Sequence, residues 1–177
     1  MASRCTSKRG GVVDSIVVSV DGRPVQSLWP GENRLPAYAE AERLSSIDLD
    51  FDGSPDLALL SELAAGNSRS QYWRQDPRTG RFTVAGEYET MAPDPAAREL
   101  TTFSRSREGG RLWTAGRWRW AGDVLEPVAE ESQAAMYDNP GRYLRAVNRW
   151  RGSRWELVRL DTLRESQLRA GPSWIEP

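Results

Sequence analysis

Four aspartates fall within the nine residues from Asp48 to Asp56, in the order Asp48-Leu49-Asp50-Phe51-Asp52-Gly53-Ser54-Pro55-Asp56. No other stretch constrains the chain so tightly. Like charges packed this closely repel one another unless the backbone curls to present them to a cation. Calcium suits such a loop, because it takes about six to eight oxygens at roughly 2.3–2.6 Å in a forgiving geometry. Gly53, sixth in the loop, permits the sharp turn. The expected ligands are the side chains of Asp48, Asp50 and Asp52, the backbone carbonyl of Ser54, and Asp56 directly or through water. Leu59 stands at the twelfth position, where a helix-flanked calcium hand carries a bidentate Glu. The apolar run from Leu57 to Leu63 therefore reads as a strand leaving the loop, as in the calcium loops of β proteins. Magnesium insists on octahedral geometry and keeps its waters, so Ca2+ is the better match. A closed shell leaves no open position for chemistry, so the expected role is structural.

The remainder of the chain is punctuated by hairpin signals. Val12 to Val20 is rich in β-branched residues, Asp21-Gly22 is a turn, and Pro24 to Trp29 makes a second strand. Gln71 to Gln75 and Arg81 to Ala85 flank Asp76-Pro77-Arg78-Thr79-Gly80, in which Pro presets φ and Gly supplies a positive one. Arg117 to Glu130 and Val147 to Leu160 form a weak repeat: Trp120 aligns with Trp150, Gly122 with Gly152, Glu126 with Glu156, Val128 with Val158. Each unit reads strand, glycine turn, strand. This pattern predicts an all-β protein of antiparallel hairpin repeats, a small β-propeller-like domain with one calcium loop. Residues 1–11 read as a flexible lead-in and 12–177 as a single calcium-binding β domain. Loops are expected over Pro30 to Ala41, Ala64 to Ser70 and Met91 to Ala97, a short helical turn over Ala37 to Arg43, and a C-terminal helix over Asp161 to Ala170.

Composition narrows the function. The 24 basic and 25 acidic residues nearly cancel, which argues against a nucleic-acid binder. Lys8 is the one lysine; every other cation is arginine, whose rigid fork suits carboxylates. Without histidine there is no Ser-His-Asp or Cys-His nucleophile, no imidazole base and little zinc chemistry. A carboxylate enzyme remains conceivable through Asp94, Glu99, Asp123 and Glu126, but nothing in their spacing selects them. No enzyme is expected. Cys5, the single cysteine, allows no intrachain disulfide. It stands where a bacterial lipoprotein bears its lipid, although Arg4 occupies the position of a small residue. A lipid anchor at Cys5, with the signal peptide already removed, is the one membrane attachment expected.

Four stretches carry a resemblance: DGRPVQSL (Asp21 to Leu28), IDLDFDGSPDLALLSELAAGN (Ile47 to Asn67), YWRQDPRTGRF (Tyr72 to Phe82) and WRWAGDVLEPVAEE (Trp118 to Glu131). Over Val12 to Glu131 the chain resembles bacterial periplasmic proteins and lipoproteins with integrin-like FG-GAP or VCBS-type calcium repeats. Among these, it is most similar to xanthomonad inhibitors of a lysozyme-like effector of the bacteria-killing type IV secretion system. The resemblance implies a periplasmic immunity protein whose partner is a cognate toxic effector. A plug for a glycosidase cleft, lined by paired carboxylates, should be a protruding basic or hydroxyl-bearing loop. Ser104, Arg105, Ser106 and Arg107, bracketed by Gly109-Gly110, fit that description. Trp29 or Trp174 would serve as an aromatic anchor. The competing expectation is a calcium-stabilised adhesion or scaffold module of the cell surface.

Overall fold

The computed structural model describes residues 2–7, 13–30, 44–64, 67–106 and 111–174. The expected loop and helical turn over 31–43 lie outside these residues, as does Arg107. The chain is all-β, and it divides into two compact units: residues 1–63 with 68–88, and residues 64–67 with 89–177.

The first unit holds two antiparallel sheets. Strands β1 (Ala2–Ser7), β2 (Val13–Val20) and β3 (Arg23–Leu28) form one sheet in that order. The β2–β3 hairpin is the one expected. Asp21 and Gly22 both have positive φ, 50° and 77°, the two-residue turn whose twist matches that of its strands. Residues 2–7, read from sequence as part of a flexible lead-in, instead pair with β2 from Ala2↔Ser19 to Ser7↔Val13. The β-branched β2 is central in its sheet, so its second edge needs a partner for its backbone groups.

Strands β4 (Leu44–Ile47), β5 (Asp56–Ala64), β6 (Asn67–Gln75) and β7 (Phe82–Glu89) make the second sheet, again in chain order. Part of the polar loop expected after Leu63 is thus strand. The central strands are buried on both faces: Leu57, Ala58 and Leu59 on β5, Ser70 to Trp73 on β6. That is why β5 reads as a continuous apolar run and not an alternation. Ile16, Val18 and Leu28 from one sheet pack with Leu57, Leu59, Trp73 and Phe82 from the other. Gln26 fastens this core, donating to the Phe82 carbonyl at 2.7 Å and accepting from the Phe82 N–H at 2.9 Å. The Asp76–Gly80 turn closes as its residues predict. The Gly80 N–H reaches the Asp76 carbonyl at 2.7 Å, and Gly80 has φ 67°. The Arg78 N–H donates to the Asp76 side chain and holds that carboxyl below its usual value.

The second unit is one six-stranded meander: β8 (Met91–Asp94), β9 (Glu99–Arg105), β10 (Trp113–Ala121), β11 (Val124–Ala135), β12 (Arg142–Trp150) and β13 (Trp155–Arg164). The repeated units are its two long hairpins. Trp120 faces Leu125 and Trp150 faces Trp155 at their ends, with Gly122 and Gly152 in the turns at φ 63° and 76°. Met91–Asp94, expected as loop because of its prolines, is a strand. It lies at the edge of the sheet, where Pro93 costs no ladder bond that a neighbour needs.

The expected C-terminal helix is also corrected. Asp161–Arg164 continue β13 against Arg145–Arg142, and only Glu165–Gln167 make a short 3-10 turn. Sheet pairing outweighs a helical face with two leucines. The chain then runs as a strap fastened to the sheet by side chains. The Trp113 indole donates to the Arg169 carbonyl at 3.0 Å. Gln133 donates to that same carbonyl at 3.1 Å and accepts from the Arg169 N–H at 3.2 Å. Pro172, within the strap, is fully buried. Among the described residues no helix is long and apolar enough to cross a membrane.

Candidate metal centre

The aspartate loop joins β4 to β5 and curls through two left-handed residues, Phe51 at φ 60° and Gly53 at φ 87°. Its carboxylates are held by backbone donors. Asp48 accepts from the N–H groups of Asp52 at 3.2 Å and Gly53 at 3.1 Å, and Asp52 accepts from that of Ser54 at 2.6 Å. Asp56, at the first position of β5, is fully buried and receives the N–H of Leu49 at 2.8 Å and of Gln75 at 2.7 Å. Burial pushes its carboxyl from 3.8 up to about 6. The two N–H groups oppose that rise, and the charges of Asp50 and Asp52 add to it.

Of the four expected side-chain ligands, the structure gathers three. Asp48, Asp50 and Asp56 each offer a carboxylate oxygen within 4.8 Å of the others. That spacing suits oxygens around one ion at the Ca–O distances above. Asp52 falls outside this group and accepts the Ser54 N–H in the turn. One oxygen of Asp50, Oδ2, takes the Arg74 guanidinium through Nε at 2.9 Å and Nη2 at 2.6 Å. The other, Oδ1, is buried without a hydrogen-bond partner. A buried carboxylate oxygen with no donor, beside two more carboxylates, is electrostatically unfinished. The donor set therefore fits a divalent cation, which Asp48, Asp50 and Asp56 would hold while Asp50 keeps its pair with Arg74.

Arg74 was invisible as a site residue in the sequence. The available signal was its place at the end of a four-residue buried run on β6, where a charge needs a partner.

The expected partner loop stands at the end of β9 in the second unit. The Ser104 hydroxyl and the Arg105 N–H both donate to Asn67 Oδ1, at 2.7 and 3.0 Å. The Arg105 guanidinium lies over the Phe103 ring at 4.9 Å and reaches the Ala170 carbonyl at 3.4 Å. Ser106 closes the hairpin by donating its N–H to the Leu112 carbonyl at 2.9 Å. Ser104, Arg105 and Ser106 line an open cleft of about 390 Å³ together with Asn67, Ser132 and Gln133. Trp29 is 68% exposed, whereas Trp174 is half-buried with the Arg117 guanidinium 6.0 Å from its ring. Asp94 and Glu99 do come together, as cross-strand neighbours, but around Arg117 at 3.6 and 2.6 Å.

No protein-family model matches the chain, and no curated protein matches it in sequence. Its fold is similar to that of a solved structure described as a Xanthomonas type IV secretion system related protein. The TM-score is 0.60 at 12% identity, covering 88% of this chain and 85% of the other. At that identity the likeness concerns the fold.

Proposed function

We propose that this chain is a periplasmic immunity protein of the FG-GAP/VCBS-type calcium-binding kind, which binds and neutralises an antibacterial secreted effector. The observation that carries the reading is the fold shared along most of its length with a type IV secretion system related protein. A supporting feature is the end of β9, where Arg105 and Ser106 are exposed and offer a guanidinium and a hydroxyl, groups suited to carboxylates. Calcium bound by Asp48, Asp50 and Asp56 would neutralise the loop and pin β4 to β5, away from any chemistry. Lipid attachment at Cys5 would hold the protein at the membrane.

The test is inhibition of any lysozyme-like or other envelope hydrolase found encoded beside this protein. Equimolar protein is expected to abolish hydrolysis of peptidoglycan. Arg105→Glu is expected to weaken binding at least tenfold without lowering the melting temperature. Absence of binding at micromolar concentration by every adjacent effector would end this reading.

A further inference from the structure

Gln133 on β11, Arg145 on β12 and Asp161 on β13 are directly opposed across their strands, so they form one row on one face of the six-stranded sheet. The register shift of β13 falls at Val158. Arg159 to Arg164 therefore alternate regularly, and Arg159 shares the face of Asp161. The C-terminal strap crosses this same face, where Gln133 and Trp113 hold the backbone of Arg169. Between the strap and the outer strand lies an open cleft of about 520 Å³. Its lining includes Arg145, Arg159 and Asp161 from the sheet, with Gln167 and Arg169 from the chain beyond it.

The cleft holds unused donors. Only 9% of the Arg145 side chain is exposed, and its Nε and Nη2 both go to Glu131 Oε1. Its Nη1 has no hydrogen-bond partner among the described residues and is the nitrogen left to the cleft. A guanidinium so far buried gains most from an acceptor that carries charge. Arg159 spends Nε on Asp161 Oδ2 at 2.7 Å, which leaves its two terminal nitrogens. Gln167 Oε1 accepts the Arg164 N–H at 2.9 Å, so the amide NH2 of Gln167 remains to donate.

We propose that this cleft binds a singly charged carboxylate, with Arg145 Nη1 at its floor, Arg159 at its wall and Gln167 donating from the far side. A planar carboxylate accepts parallel N–H bonds from a guanidinium fork. A phosphate dianion fits less well, because Glu131 and Asp161 already stand beside these donors and repel a second negative charge. The proposal is independent of the effector reading.

Titration of the isotopically labelled full chain with N-acetylglycine, followed by the NMR shifts of amide and arginine Nε–H groups, tests it. Saturable shifts at Arg145, Arg159 and Gln167 are expected, with a dissociation constant on the order of 1 mM for so small a ligand. N-acetylglycinamide, which lacks only the charge, and inorganic phosphate should each bind at least tenfold more weakly. Acetate separates two sources of the same group. Affinity equal to or above that of N-acetylglycine assigns the site to a small free carboxylate, and weaker binding assigns it to the end of a peptide chain. Arg159→Gln and Gln167→Ala, both at exposed positions, should each weaken N-acetylglycine at least threefold. Circular dichroism and melting curves confirm that both variants are folded. Absence of saturable shifts up to about 50 mM overturns the proposal. So does phosphate or the amide binding as tightly as N-acetylglycine, or wild-type affinity in both folded variants.

Discussion

Asp56 in the first unit and Glu131 in the second are both fully buried carboxylates, and their surroundings answer the same physical problem differently. Glu131 is met by a full counter-charge. Arg145 on β12 pairs with its Oε1, while Ser173 donates both its N–H, at 3.0 Å, and its hydroxyl, at 2.8 Å, to Oε2. Asp56 receives only two backbone N–H groups and has Asp50 and Asp52 close enough to raise its pKa. The Glu131 cluster is complete as it stands and holds the C-terminal strap. The Asp56 cluster sets one guanidinium, Arg74 on Asp50, against three gathered carboxylates. A buried acid tells little about function until its partners are counted; the incomplete set is the one that calls for a cation.

The largest expected effect falls on the complete cluster. Arg145→Ala leaves Glu131 buried without its counter-charge, which should destabilise the second unit by about 3–5 kcal/mol in urea denaturation. Adding Glu131→Gln should recover more than half of that. A loss below about 1 kcal/mol would break the contrast, since only a surface pair is worth so little. Next is Asp56→Ala, which removes the acceptor for two buried N–H groups. It should cost about 2–4 kcal/mol with chelator present.

How much of this was legible follows from the range of the interactions involved. The hairpins were readable because Asp21-Gly22, Gly80, Gly122 and Gly152 fix positive φ locally, and the strands flanking them are β-branched or aromatic. The aspartate loop was readable for the same local reason, and three of its four expected side-chain ligands do converge. Asp52 is expected from spacing alone, whereas its bond from the Ser54 N–H belongs to the turn itself. Glu131 and Arg145 could not be paired from sequence. They sit diagonally across β11 and β12, Glu131 opposite Val147 and Arg145 opposite Gln133, a relation that exists only once the register is set. The strap was misread because alternating leucines and charges from Asp161 onward suit a helix as well as an edge strand.

A smaller effect separates the two clusters by pH. The folded pKa of Asp56, about 6, lies above the ordinary 3.8, so between those values the native protein holds a proton that the unfolded chain has lost. Metal-free stability contributed by this group should therefore be full below about pH 4 and fall as pH rises to about 6, by about 3 kcal/mol. The difference between wild type and Asp56→Asn, followed from pH 4 to 7 in chelator, isolates this contribution. Saturating calcium should remove the slope near neutrality by holding the carboxylate ionised; persistence of the slope would show that no ion reaches Asp56. Smallest is Ser173→Ala, which deletes the hydroxyl bond to Glu131 but keeps the N–H bond. A loss of about 1 kcal/mol is expected, with a faster exchange of amide protons along the strap.

The central claim is that the Asp48–Asp56 loop is completed by a cation. Calcium titration by calorimetry, paired with melting curves in calcium and in chelator, tests it most directly. A ligand of the native state must stabilise it, by about 2.7 kcal/mol at a free concentration one hundred times its dissociation constant. The account predicts saturable binding of one ion, a melting temperature several degrees higher in calcium, and loss of both in Asp50→Ala. Identical melting temperatures in calcium and chelator, with no heat of binding, would contradict it.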